Sequence, residues 1–304
     1  MTFRARGLFA ATVTPMHEDG SLDLDRVSGL VDHLIQIGLE GLFVGGSTGE
    51  GTCLTVDERK EALEAYASAA SGRLPVIANI GHESLFEARG LAEHACGCGV
   101  DAIAATPSTY FRPQTVEVLA DCLADIARVA PELPLYYYHI PILTNVDLDM
   151  AALLKVADER LPTFVGLKFS HLDLDMVRAC TSHGDGKYDV LFGFDEYLLD
   201  GLEAGCLGAI GSTYNFLAPA YRRVMDSRAA GDLDEARRQQ ERVRELVNVL
   251  VEYRRPPASI KAALQLVGQP CGPCRLPNET MKADEIDSMR DRLDAMGFFD
   301  LVRP

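Results

Sequence analysis

The chain lacks three things at once: an excess of positive charge, a long apolar run and a dense set of cysteines. Lys and Arg number 29 against 45 Asp and Glu, for a formal net charge of −16. Nucleic acids and anionic membrane surfaces are recognised through basic stripes, so neither is expected as a partner. No run approaches the roughly 18 apolar residues of a membrane span. The start, Met1-Thr2-Phe3-Arg4-Ala5-Arg6, leads into a short apolar stretch ending at Thr14-Pro15. It lacks the long apolar core of a secretion signal and reads as a first strand, so a cytoplasmic location is expected. Eight cysteines in 304 residues are too dilute for a disulfide scaffold. Cys271-Gly272-Pro273-Cys274 has thioredoxin-type spacing, but it follows a helical segment and precedes Arg275-Leu276-Pro277. With no strand before it, we read it as a reduced structural turn. Cys96-Gly97-Cys98 has a one-residue gap that fits zinc poorly, and no metal is expected.

What is present is an ordinary globular composition, over a length that suits one large α/β domain with an appendage or two domains of moderate size. Eight strand-like apolar runs occur: Gly7–Val13, Gly41–Val44, Pro75–Asn79, Ala102–Ala104, Leu135–Tyr138, Phe164–Lys168, Val190–Phe192 and Ala209–Gly211. Each is followed by a helical pattern, which implies a parallel sheet covered by helices. Val27, Leu30, Val31, Leu34 and Ile35 share one helical face, with Gly38 as the stop. Thr55 with Glu58, and Ser84 with Glu87, have capping-box spacing. Helices over 115–130, 147–159, 172–182, 195–204 and 218–230 continue the alternation. Eight β/α repeats in about 230 residues match a closed (β/α)8 TIM barrel. An open doubly wound sheet is the rival, but no Gly-x-Gly-x-x-Gly follows the first strand. After Gly231 strand signals cease. Residues 1–231 are therefore expected to form the barrel, and 232–304 a C-terminal three-helix extension with helices over 232–255, 258–267 and 283–296.

In such a barrel, chemistry sits at the C-terminal ends of the strands. Lys168 lies in the otherwise apolar stretch Thr163–Ser170 and follows Tyr138 by thirty positions, about one strand–helix–strand unit. The two can face one pocket. A protonated lysine is costly in apolar surroundings, and a lowered pKa leaves a free amine able to make a Schiff base with a ketone. The bland alternative is a strand-end lysine that reaches water along its apolar stem. Strand two ends in Gly45-Gly46-Ser47-Thr48-Gly49-Glu50-Gly51, a turn whose amides and hydroxyls can hold a carboxylate or phosphate without a basic residue. The alternative there is a merely flexible loop. Asp195 and Glu196 after strand seven could instead favour a first helical turn. Ser212 and Thr213 after strand eight could be helix caps.

Taken together, these motifs resemble the pyruvate-dependent class I aldolases typified by dihydrodipicolinate synthase and N-acetylneuraminate lyase. The likeness runs from Gly7-Leu8-Phe9-Ala10-Ala11-Thr12-Val13-Thr14-Pro15 to Gly272-Pro273-Cys274-Arg275-Leu276-Pro277. Tyr136-Tyr137-Tyr138-His139-Ile140-Pro141, Gly166-Leu167-Lys168-Phe169-Ser170 and Gly211-Ser212-Thr213-Tyr214-Asn215 carry a closer match to the sialic acid lyase branch, its animal-type members above all. The resemblance implies a Schiff base at Lys168 and a proton shuttle at Tyr138. It implies that Ser47 and Thr48 hold the substrate carboxylate. Ser170, Gly193, Asp195, Glu196 and Ser212 would bind the polyhydroxy portion, and Tyr110 would support the relay.

The synthases read Tyr-Asn-x-Pro-x-Arg-Thr after strand five, and that arginine pairs with a second carboxylate. Here Leu143 takes its place, and a leucine cannot make that pair. His139 replaces an asparagine found in many relatives, and Asn145 stands where glycine is common. The activity implied is reversible cleavage of sialic acid to N-acetylmannosamine and pyruvate, with no cofactor, by a homotetramer. The alternatives are an aldolase or dehydratase of 2-keto-3-deoxy sugar acids, or a silent sugar-acid-binding paralogue.

Overall fold

The computed structural model describes residues 3–303, so Met1 and Thr2 of the expected first segment lie outside it, as does Pro304. Eight parallel strands close into a barrel in chain order, β1 pairing with β8. They are β1 Gly7–Ala11, β2 Gly41–Val44, β3 Val76–Asn79, β4 Ala102–Ala105, β5 Leu135–His139, β6 Phe164–Phe169, β7 Asp189–Phe192 and β8 Gly208–Gly211. Each coincides with an expected run to within two residues. The intervening helices are α1 Arg26–Gln36, α2 Val56–Ala70, α3 Leu85–Gly97, α4 Val116–Ala127, a short α5 Pro141–Thr144, α6 Met150–Arg160, α7 Leu174–Ser182, α8 Leu198–Glu203 and α9 Tyr214–Ala229.

Alternation along the strands separates two cores. Phe9, Phe43, Ile77, Tyr136, Tyr138, Leu191 and Ile210 fill the barrel interior. Leu8, Leu42, Tyr137, Leu167, Phe169 and Phe192 face outward and pack under the helices. At the lower mouth the Asp189 carboxylate pairs with Arg4 at 3.0 Å and accepts from the Tyr136 hydroxyl at 2.8 Å, closing the interior.

Local details depart from expectation where one side chain finds a better partner. The Thr55–Glu58 capping box forms in both directions. Only half of the second forms, because the Ser84 amide donates to His82 instead. Helix α9 begins at Tyr214, four residues earlier than expected, and carries Pro219 inside it. Proline has no N–H for the carbonyl four residues back. That carbonyl, of Asn215, instead accepts from His33 Nε2 at 3.1 Å.

Four helices follow the barrel: α10 Leu233–Glu252, α11 Pro256–Leu266, α12 Ala283–Ala295 and a fourth, α13 Phe298–Leu301, absent from the sequence reading. The outer core continues without a break into Val243, Leu246, Leu264 and Met289 of this segment. The turn holding Cys271 and Cys274 returns to the barrel's upper rim, where the Met16 amide donates to the Cys271 carbonyl at 3.0 Å. All eight cysteines are free. Arg275 follows that turn and grips Glu58 with both ends of its guanidinium, at 2.6 and 2.8 Å.

That grip holds the Glu58 carboxyl down to about 2, with the Thr55 amide assisting and partial burial opposing. A carboxyl whose folded pKa lies below its ordinary value stabilises fully above the ordinary value, and the contribution fades as pH falls toward the folded value. Glu58→Gln should therefore lower the melting temperature at pH 7, and the gap to the wild type should narrow between pH 4.5 and 2. A gap that stays constant over that range in thermal scans would refute this account.

Candidate active site

Strand register brings the lysine and the phenol together. Tyr138 and Lys168 are direct partners across β5 and β6, both pointing into the barrel. The Lys168 ammonium position lies 3.9 Å from the Tyr138 ring centre and 4.0 Å from that of Phe43 on β2. The two rings meet edge-on at 5.5 Å. Lys168 is only 3% exposed, so it is not a strand-end lysine reaching water. Burial pushes its pKa down, while the Tyr138 hydroxyl and, more weakly, Asp195 push it up, and the net shift is downward. Two residues before it, Gly166 is required by close approach: a Cβ there would lie 1.9 Å from the Asp189 carbonyl oxygen.

The turn after β2 is rigid, not merely flexible. The Gly51 amide donates to the Gly46 carbonyl and the Glu50 amide to the Ser47 carbonyl, both at 3.1 Å. Asn79 Nδ2 donates to the Gly45 carbonyl at 3.0 Å, and the Thr14 hydroxyl to the Gly49 carbonyl at 2.7 Å. Among the described residues, the amides of Ser47 and Thr48 find no protein acceptor. Ser47 is exposed and Thr48 half-buried, so both are open to a ligand. Unpaired amides in a glycine-rich turn make an anion receptor.

On the opposite rim, Ser170 and Gly193 are neighbours across β6 and β7, and a Cβ on Gly193 would meet the Ser170 oxygen at 2.0 Å. Asp195 is buried, and its Oδ2 accepts from the Thr213 amide at 2.8 Å and the Thr213 hydroxyl at 2.7 Å. Thr213 therefore makes no side-chain cap on α9. Desolvation pushes the Asp195 carboxyl up, with the Thr213 donors and Lys168 opposing. Glu196 is half-buried and likewise pushed up, by burial first and Asp195 second. Ser212 is half-buried beside them.

Other marked positions lie apart. Tyr110 is 81% exposed and its ring packs edge-on against Phe111, so within one chain it is outside the cluster around Lys168. Leu143 is exposed. Asn145 takes φ 52°, which explains why glycine suits that position and why asparagine is accepted. His139 points outward from β5 against Phe169, and burial holds its pKa down to about 4. It is a neutral core histidine. Among the described residues, no group of three or more His, Cys, Asp or Glu is arranged to hold a metal ion.

The sequence profile of the Dihydrodipicolinate synthetase family matches residues 4–296. The chain belongs to this family. Among curated members it is 36% identical to the human N-acetylneuraminate lyase over 97% of this chain and 93% of that one. It is 37% identical to N-acetylneuraminate lyase A of Xenopus laevis over 95% of this chain and 96% of that one. Among solved structures, the Proteus mirabilis N-acetylneuraminate lyase superposes with a TM-score of 0.94 at 33% identity, covering 97% of this chain and all of that one.

Three residues of this family member's site escaped the sequence reading. Phe43 was readable as an inward position of β2, but its contact with Lys168 crosses the barrel. Glu50 stood in the quoted turn with no role assigned. For Thr213 the sequence offers only capping as an alternative, whereas it clamps Asp195. The clamp leaves no room at Gly211, where a Cβ would lie 2.0 Å from Asp195 Oδ1. Overpacking of this kind costs about 1–3 kcal/mol. Gly211→Ala should lower thermal stability by that order and weaken substrate binding; an unchanged melting temperature would show that the carboxylate can move aside.

Proposed function

We propose that this chain is a Schiff-base lyase that reversibly cleaves N-acetylneuraminate to N-acetylmannosamine and pyruvate. The observation that carries the reading is the buried Lys168 amine, in register with Tyr138 and facing the same interior. The named relatives supply the substrate. Ser47 and Thr48 hold the substrate carboxylate through the open amides and hydroxyls of their turn, which overcomes the repulsion of a net −16 chain. Ser170, Gly193, Asp195, Glu196 and Ser212 form the rim that receives the polyhydroxy chain.

Lys168 attacks the ketone carbon and water leaves, giving a protonated imine. Tyr138 takes the proton of the hydroxyl on the β carbon. The bond between the α and β carbons then breaks, and its electron pair moves into the imine to give an enamine. N-acetylmannosamine departs as the aldehyde. Return of a proton to the α carbon and hydrolysis of the imine release pyruvate and the free amine. A lysine at its ordinary pKa near 10.4 is free amine only about one part in a thousand at neutral pH. Burial at Lys168 raises that fraction, which is why the pair sits inside the barrel.

Leu143 argues against a dicarboxylate substrate, since a leucine cannot pair with a second carboxylate. The homotetramer implied by the family is part of the proposal. Tyr110, Phe111, Ile142 and Leu143 are large, exposed side chains on neighbouring rim loops that a second copy would cover. A cytoplasmic location is proposed as well; among the described residues no helix is long and apolar enough to cross a membrane.

Borohydride reduction in the presence of pyruvate should attach the reduced keto acid to Lys168 in the mapped peptide. The labelling rate should rise with pH and level off below the ordinary lysine value. Lys168→Ala should lose labelling and turnover while keeping its circular dichroism spectrum. Tyr138→Phe should cut kcat at least 100-fold, within the range for losing a proton-transfer group, and change KM far less. Unlabelled Lys168 in folded protein, or turnover of 2-keto-3-deoxy sugar acids but not of N-acetylneuraminate, would sink the assignment. Light scattering should give the mass of four chains; a monomer would remove the tetramer from the proposal.

A further inference from the structure

The turn assigned to the substrate carboxylate is fastened from outside the barrel. Glu50 lies two residues after Thr48 and takes φ 55°, a left-handed conformation that few residues other than glycine adopt. Its side chain is fully buried. Oε1 lies 2.8 Å from Lys261 Nζ on α11, whose side chain is 4% exposed. Oε2 accepts from the Arg275 amide at 2.9 Å and from Asn278 Nδ2 at 3.2 Å. Lys261 Nζ also donates to the Pro273 carbonyl at 2.6 Å. Each of these partners comes from the segment after the barrel.

A buried ion pair is a poor device for stability alone, because well-packed apolar residues of the same volume often do as well or better. What such a pair supplies is a fixed direction. The backbone carries that direction onward over a very short path. The Glu50 amide is bonded to the Ser47 carbonyl and the next amide, Gly51, to the Gly46 carbonyl, so a shift at Glu50 displaces the peptide units that present the Ser47 and Thr48 amides. Gly51 packs closely against the start of the same turn, since a Cβ there would lie 2.1 Å from the Gly45 carbonyl oxygen.

We infer that the buried Glu50–Lys261 pair positions the Ser47–Thr48 turn, so that Lys261, on a helix outside the barrel, sets the affinity for the keto-acid carboxylate without touching it. The inference rests on the reading of that turn as the carboxylate holder. Lys261 and Glu50 are positioning residues, and their signature is a change in half-saturation with little change in maximal rate.

Pyruvate-dependent borohydride labelling of Lys168 measures both quantities on the full chain. Lys261→Met should raise the half-saturating pyruvate concentration at least tenfold and leave the maximal labelling rate within threefold. The double variant Glu50→Gln with Lys261→Met removes both charges together and leaves no unpaired ion, so it should melt near the wild-type temperature. It should still need at least fivefold more pyruvate. Half-saturation within twofold of wild type in either folded variant overturns the inference; if Lys261→Met does not fold, the double variant decides. Thr48→Ala separates the two readings. A raised half-saturation in Thr48→Ala with none in the double variant overturns only the positioning role. An unchanged value both in Thr48→Ala and in folded Thr48→Pro, which deletes the amide N–H as well, overturns the carboxylate reading, and the positioning role with it.

Discussion

The structure is organised around one amine that is kept from water. Lys168 sits between the faces of Tyr138 and Phe43, inside a barrel whose interior is otherwise aromatic and aliphatic. Two opposing effects act there. The Tyr138 hydroxyl and, more weakly, Asp195 favour the charged ammonium, and desolvation disfavours it. The downward shift shows that desolvation wins. The closed sheet makes this possible, because an open sheet edge would admit water, whereas here Asp189, Arg4 and Tyr136 seal the lower mouth.

Around that amine, charge is handled locally. The chain as a whole repels an acid, yet the turn after β2 offers the Ser47 and Thr48 amides, which no group among the described residues has claimed. The Asp195 carboxyl is not free either. It is clamped by two donors from Thr213, which fixes its orientation and opposes its tendency to take up a proton. The rim thus presents fixed dipoles on one side and one oriented carboxyl group on the other. Preorganised groups of this kind need no rearrangement when a ligand arrives.

The segment after the barrel contributes more than surface coverage. Its α11 lysine and its Cys271–Asn278 turn take hold of Glu50, midway along the loop that joins β2 to α2, and of Glu58 in the first turn of α2. Removing one partner of a buried ion pair leaves an uncompensated charge, at a cost of about 3–5 kcal/mol. Residues remote in the chain therefore bear directly on the shape of the turn. The Cys271-Gly272-Pro273-Cys274 motif belongs to this brace. Gly272 takes φ 69° where a Cβ would strike the Met16 carbonyl oxygen. Burial holds the Cys271 thiol up at about 11, far from the reactive range of a redox pair.

The amino-acid sequence by itself determined a parallel sheet covered by helices, because eight apolar runs alternate with helical faces; the count of repeats pointed to a barrel, and the pairing of β1 with β8 closed it. It also marked the strand ends where the proposed site lies, since Tyr138 and Lys168 end apolar runs, and Ser47 and Asp195 follow them. Fine detail was less legible wherever a side chain had competing partners: Ser84 gave its amide to His82, and Thr213 turned from capping α9 to Asp195. Only the tertiary structure decided that Phe43 faces Lys168, that Tyr110 stands exposed, and that Glu50 meets Lys261 across 211 positions of chain. Periodicity reports which face of an element is buried, but not what lies opposite. That depends on closure of the barrel and on where the last helices dock, which are properties of the whole fold.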